Sequence, residues 1–156
     1  MKRTVIGGSA CPRAMTKTFE EQYGVEVVHA WGMTEMSPLG SLCTMKPEYA
    51  SLTGDARLDI QQKQGHPPFG VEMKITDDNN KELPWDGKTF GRLKVRGPAV
   101  ARAYYKVEND PAFEKDGWFD TGDLARMDAE GYIRIAARSK DIIISGGENI
   151  SSIEVE

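Results

Sequence analysis

Two short β-branched runs, Thr4-Val-Ile6 and Val25-Glu-Val-Val28, bracket a segment in which Met15, Phe19 and Tyr23 recur every four residues. That spacing is helical. Pro12 fits a helix's first turn, where its missing N–H costs nothing, and Gly24 stops the helix. Strand, helix and strand in that order make a parallel pair with a crossover helix, so the chain opens as α/β. The first strand runs into Gly7-Gly8-Ser9-Ala10, where the absence of side chains lets backbone approach a ligand. The second runs into Trp31-Gly32-Met33-Thr34-Glu35-Met36-Ser37-Pro38, a polar loop at the carboxyl end of a buried strand, where open α/β sheets place ligands. Each stretch also has a plain structural reading, as an ordinary turn, with Thr34-Glu35 as a helix start.

From Leu39 to Pro68 the pattern weakens, and the sequence predicts a long excursion with one short helix around Pro47 to Leu52. The periodicity then changes to two. Val71-Glu-Met-Lys-Ile75 and Gly91-Arg-Leu-Lys-Val-Arg-Gly97 alternate apolar with polar, as half-buried antiparallel strands do. Asp77-Asp-Asn-Asn80, Pro84 and Gly87 supply the turn chemistry between them. A helical or irregular piece carries Tyr104 and Tyr105. Trp118-Phe119, Asp120-Thr-Gly-Asp-Leu124, the turn Asp128-Ala-Glu-Gly131 and the strand Tyr132-Ile-Arg-Ile135 then extend a meander. Lys140 to Ile150 reads as a strand, a Gly-Gly turn and a return. Ser151 onward reads as an N-cap and the first turn of a helix, too little of one to recover its nucleation cost, so the polypeptide reads as interrupted there.

Composition narrows the class. Twenty Lys and Arg stand against 24 Asp and Glu, a formal charge of −4, which argues against a nucleic-acid partner. Cys11 and Cys43 have no Cys or His neighbours at metal-ligand or disulfide-framework spacing, so reduced thiols and a cytoplasmic setting are expected. No apolar run approaches a transmembrane span, and Met1-Lys-Arg-Thr-Val-Ile lacks a signal peptide's apolar core. His29 and His66 stand alone, as surface or satisfied core histidines do. Asp123 has a reading as a turn cap, and Arg138 with Asp141 as a solvated charge patch.

The order of these pieces carries more than any one of them. Gly-Gly-Ser, then Trp-Gly-Met-Thr-Glu, then Gly-Arg-Leu-Lys-Val-Arg-Gly, then Trp-Phe-Asp-Thr-Gly-Asp-Leu, then Arg-Ser-Lys-Asp-Ile-Ile-Ile-Ser-Gly-Gly-Glu-Asn-Ile resembles the adenylate-forming superfamily. Its members include acyl-CoA synthetases, luciferases and peptide-synthetase adenylation domains; the Trp-Gly-Met-Thr-Glu-Met-Ser-Pro and Ser-Gly-Gly-Glu-Asn-Ile-Ser-Ser forms look most like fatty-acyl and related carboxylate CoA ligases. The resemblance implies attack of a carboxylate on ATP, release of pyrophosphate, and transfer of the acyl group to coenzyme A. It makes Thr34 the hydroxyl on the AMP phosphate and Glu35 a Mg²⁺ carboxylate. Trp31 becomes the adenine-packing aromatic, in a loop shared with Gly32 and Met33. Gly7, Gly8 and Ser9 become the turn along the adenine and the acyl pocket. Asp123 is similar to the ribose-binding aspartate, Arg138 to its arginine neighbour, Lys140 to the hinge of a C-terminal lid, and Gly146 and Gly147 to the turn lining the pantetheine tunnel.

The departures matter too. The upstream phosphate loop and the lid lysine of that superfamily have no counterpart here, so the expectation is a fragment that binds adenylate but is inactive alone. The alternatives are a non-catalytic adenylate- or protein-binding remnant and a fragment of an aryl- or amino-acid-activating enzyme. The expected organisation is a partial α/β subdomain over 1–60, a β-rich, barrel-like antiparallel subdomain over 61–137, and the hinge and start of a lid over 138–156. Exposed apolar edges predict self-association.

Overall fold

The computed structural model describes residues 1–138 and the strands Ile143–Ser145 and Glu148–Ile150. The chain divides into two compact units, Met1–Phe69 and Gly70–Glu156.

The first unit is built on its second strand. β1 (Arg3–Ile6) pairs parallel with β2 (Glu26–Gly32), and α1 (Arg13–Tyr23) crosses between them. Gly24 ends the helix in the left-handed region (φ 61°), as its lack of a side chain permits. β2 is buried from Val27 to Ala30, the continuous apolar run of a strand covered on both faces. The periodic stripe on α1, however, is not the packed face. Met15 is 42% and Tyr23 68% exposed, whereas Thr16 is buried, its hydroxyl 3.3 Å from Cys11 Sγ. Val5 on β1 is likewise exposed.

The excursion predicted over 39–68 is more ordered than its pattern suggests. β3 (Leu39–Leu42) pairs antiparallel with β2, which makes the sheet mixed, in the order β1-β2-β3. The helix expected around residue 50 is only a 3₁₀ turn, Pro47–Tyr49, and the helix proper is α2 (Gly54–Gln61). Arg13 on α1 reaches Asp55 (3.0 Å) and Asp59 (2.5 Å) on α2, and Gln61 donates to Glu20 (2.5 Å).

The second unit holds four antiparallel strands in sequence order: β4 (Glu72–Thr76), β5 (Gly91–Arg96), β6 (Phe119–Met127) and β7 (Ile133–Arg138). The expected meander is there, but the expected barrel is not. β4 and β7 are the two ends of the strand order and do not pair with each other, so the sheet is open. Alternation sets which side chains face the core and says nothing about closure, which depends on strand number and shear. The segment carrying Tyr104 and Tyr105 is turn and bend, not helix. β8 (Ile143–Ser145) and β9 (Glu148–Ile150) pair antiparallel as the strand and return read from the sequence; the helix start expected after Ser151 lies outside the described residues.

One face of the four-stranded sheet is apolar: Met73, Ile75, Leu93, Val95, Phe119, Ala125, Met127 and Ile133 are all buried. The opposite face is charged and largely paired. Arg96 forks onto Glu72 (2.6 Å), Arg92 meets Asp120 (2.8 Å), and the buried Lys94 bonds Glu114 and Asn80. Trp118 lies between the cations of Lys74 (4.2 Å) and Arg96 (4.6 Å). No described helix is long and apolar enough to cross a membrane.

The Lys94 side chain is 1% exposed and that of Glu114 19%, so removing one partner leaves a poorly hydrated charge. Lys94→Met is expected to cost about 3 kcal/mol in urea unfolding. The Lys94→Met/Glu114→Gln double variant is expected to recover much of that loss.

Candidate functional site

The carboxyl ends of β1 and β2 bring one group of predicted residues together. The register Ile6↔His29 sets Gly7, Gly8 and Ser9 beside the end of β2. A Cβ on Gly7 would lie 3.1 Å from the Ala30 carbonyl oxygen, and Gly8 has φ 81°. β2 leaves the sheet through Trp31 and Gly32, passes extended Met33, turns in a 3₁₀ turn over Thr34–Met36, and returns through Ser37 at φ 55°. Two backbone bonds close the turn, Met36 N to Met33 O (2.9 Å) and Ser37 N to Thr34 O (3.2 Å).

Glycines make this possible. A Cβ on Gly32 would stand 1.9 Å from the Pro38 carbonyl oxygen. One on Gly40 would stand 2.5 Å from the Trp31 ring and 2.8 Å from Met36 Sδ, so Trp31 and Met36 pack directly on bare β3 backbone. With Met36 1% exposed as the anchor, Thr34 is held on the surface and Glu35 half-buried beside it. A surface hydroxyl and a carboxylate on a rigid turn can bond phosphate oxygens and a hard cation.

His29 belongs to this group and was missed when read as an isolated histidine. It is 3% exposed, two residues before Trp31, and its Nδ1 is buried without a hydrogen-bond partner. Its place in the buried run before the loop was the available signal. Burial pushes its pKa down, opposed by backbone groups of Ser9, Gln62 and Lys63.

In the second unit the structure joins Asp123 and Arg138. Between the pairs Lys94↔Asp120 and Arg92↔Leu124, β5 supplies Leu93 alone while β6 supplies Thr121, Gly122 and Asp123, a bulge that Gly122 turns at φ 73°. Thr121 Oγ1 donates to Leu93 O (2.9 Å) and accepts from Asp123 N (3.1 Å). Asp123 and Arg138 are direct cross-strand partners, with Nε 2.9 Å from Oδ1. The aspartate side chain is 4% exposed and the arginine's 57%, so a buried carboxyl group is paired with a surface cation. An aspartate so held offers carboxylate oxygens to hydroxyl donors. Lys140, Asp141, Gly146 and Gly147 lie outside the described residues.

As to a metal, no group of three or more His, Cys, Asp or Glu side chains is arranged to hold one among the described residues. A single carboxylate such as that of Glu35 still suits Mg²⁺, which commonly takes one or two carboxylates and completes its shell with water and substrate phosphates.

Residues 1–105 match the AMP-binding enzyme family. The chain belongs to that family. Among its relatives, the 3-methylmercaptopropionyl-CoA ligase of Ruegeria lacuscaerulensis is 52% identical over the whole of this chain. The medium-chain-fatty-acid–CoA ligase of Ectopseudomonas oleovorans is 48% identical, also over the whole chain. The chain spans 29% and 28% of their respective lengths. Among solved structures, the O-succinylbenzoate coenzyme A synthetase of Bacillus subtilis, in complex with ATP and magnesium ion, superposes with a TM-score of 0.83 at 32% identity, over 99% of this chain and 30% of that one. The chain therefore matches, over essentially its full length, less than a third of each of these proteins.

The His29 environment gives a signed pH dependence. A folded-state pKa below the unfolded value of about 6.5 means that the unfolded chain binds more protons below that pH. The stability that neutral His29 contributes is full above pH 6.5 and is lost as the pH falls toward the lowered folded value. Urea unfolding of the wild type is expected to lose stability over this window. His29→Gln should remove that component of the slope.

Proposed function

We propose that this chain carries adenylate-contacting loops of an ATP-dependent carboxylate–CoA ligase, of the fatty-acyl or a related branch, and that these 156 residues bind nucleotide without turning over. The observation that carries the reading is the end-to-end likeness to a synthetase solved with ATP and magnesium ion, joined to two loops whose geometry suits the task. Thr34 is assigned to the nucleotide phosphate and Glu35 to its Mg²⁺. Trp31, Gly32 and Met33, with Gly7, Gly8 and Ser9, are assigned to the adenine side, and Asp123 with Arg138 to the ribose. Lys140 is assigned to a hinge, and Gly146 and Gly147 to the passage of the coenzyme A arm. The metal, when bound, neutralises phosphate charge; the residues of this chain bind and orient.

The ligase branch is favoured because both relatives above are carboxylate–CoA ligases. Binding without turnover is favoured because the chain spans under a third of their length and catalysis of this chemistry rests on positioning and electrostatics from many directions. Self-association through the exposed Val5, Met15 and Tyr23 side chains of the first unit completes the proposal.

Titration calorimetry with AMP and Mg²⁺ is expected to show binding that Asp123→Ala weakens about tenfold to a hundredfold, the worth of one or two charge-assisted hydrogen bonds. Absence of binding by the wild type would sink the nucleotide reading. Pyrophosphate exchange above a blank with a medium-chain fatty acid would sink the claim that the chain does not turn over. A monodisperse monomer in light scattering would remove self-association.

A further inference from the structure

The charged face of the four-stranded sheet opposes like charges at two places: Lys74↔Lys94, where Lys94 is paired with Glu114, and a second pair with no carboxylate among the described residues. Arg126 on β6 and Arg134 on β7 are directly opposed, Arg126↔Arg134. Opposed residues of an antiparallel pair share a face with Cβ atoms roughly 5 Å apart, and like charges there are destabilising. Arg96, Arg92 and Lys94 on the same face each have a carboxylate. Among the described residues, neither Arg126 nor Arg134 has one. The Asp128 carboxylate, two residues beyond Arg126, is turned to other work: it accepts from the backbone of Glu130 and Tyr132.

Both arginines are half-buried, so their guanidinium groups are neither deep in the core nor fully hydrated. Arg126 is further fixed by Phe90, whose ring centroid lies 5.3 Å from its Cζ; Phe90 itself is 41% exposed. Two guanidinium groups carried by directly opposed residues of the sheet, with no carboxylate paired to either among the described residues, form an uncompensated pair of positive charges. A single carboxylate would neutralise one of them. A tetrahedral dianion can take a hydrogen bond from each fork and neutralise both. β6 alternates through this stretch, so the pair faces away from Asp123, and the nucleotide reading does not use it.

We propose that Arg126 and Arg134 form a second anion site, which takes a dianionic phosphoryl group, either free phosphate or a small phosphomonoester.

The test uses the full chain. Thermal unfolding is compared in sodium phosphate and sodium chloride at equal ionic strength, and the arginine Nε–H resonances are followed by NMR with inorganic phosphate, phenyl phosphate and acetate. Phosphate is expected to raise the Tm of the wild type and to shift the Arg126 and Arg134 resonances, with acetate giving a much smaller shift. Arg134→Gln should unfold no earlier than the wild type in chloride, because it relieves a repulsion, and should lose the phosphate-dependent rise. Equal shifts with inorganic and phenyl phosphate would assign the site to the phosphoryl group alone. A larger shift with phenyl phosphate would assign it to phosphomonoesters with Phe90 as part of the site. The proposal is overturned if Arg134→Gln keeps the full phosphate-dependent rise, if the two resonances do not move, or if acetate moves them as far as phosphate does.

Discussion

A Cβ at position 32 would fall 1.9 Å from the carbonyl oxygen of Pro38, so the backbone leaving β2 and the backbone returning toward β3 touch with no side chain between them. Much of the first unit depends on that contact. It lets β3 pair back on β2, and the bare backbone of Gly40 receives the Trp31 ring and Met36. The same contact forces the chain between the strands into one tight turn, whose outer corner is Thr34. A chain with alanine at 32 would have to part the strands by more than an ångström at that point, and the hydroxyl and carboxylate on the turn would move with it.

The second unit solves its positioning problem differently. Its carboxylate is placed by a bulge: three residues of β6 stand against one of β5, and the threonine at the start of the bulge bonds both the opposite strand and the aspartate's own backbone. Burying Asp123 at 4% exposure is tolerated because Arg138 stands directly across the ladder. In both units, then, the polar group of interest sits at an irregularity of a sheet whose regular part supplies the rigidity.

Much of this was legible from periodicity. Alternation marked β4, β5 and β7, and turn chemistry marked the Asp77–Asn80 and Asp128–Gly131 turns, because each depends on local residues. β3 was not legible because Gly40 and Ser41, its buried pair, are small and polar for reasons of packing: the first receives Trp31, and the second donates to Gln64 O at 2.7 Å. α2 begins at a glycine and directs Asp55 and Asp59 at Arg13, so tertiary charge pairing holds a segment of weak helical pattern. Likewise, the apolar stripe of α1 was a sound sign of a helix and a poor sign of its buried face, which centres on Thr16. The candidate site residues were assigned through the order of their motifs, whereas His29, which belongs to no motif, emerged only from its burial.

The central proposal is that the Thr34 turn and the Asp123 bulge are each nucleotide-contacting loops. Amide chemical-shift mapping of the full chain during a titration with AMP and Mg²⁺ tests it most directly. The account predicts that Gly7 to Ser9, Gly32 to Glu35, and Gly122 with Asp123 all shift. Absence of shifts at the Thr34 turn or at the Asp123 bulge would contradict it.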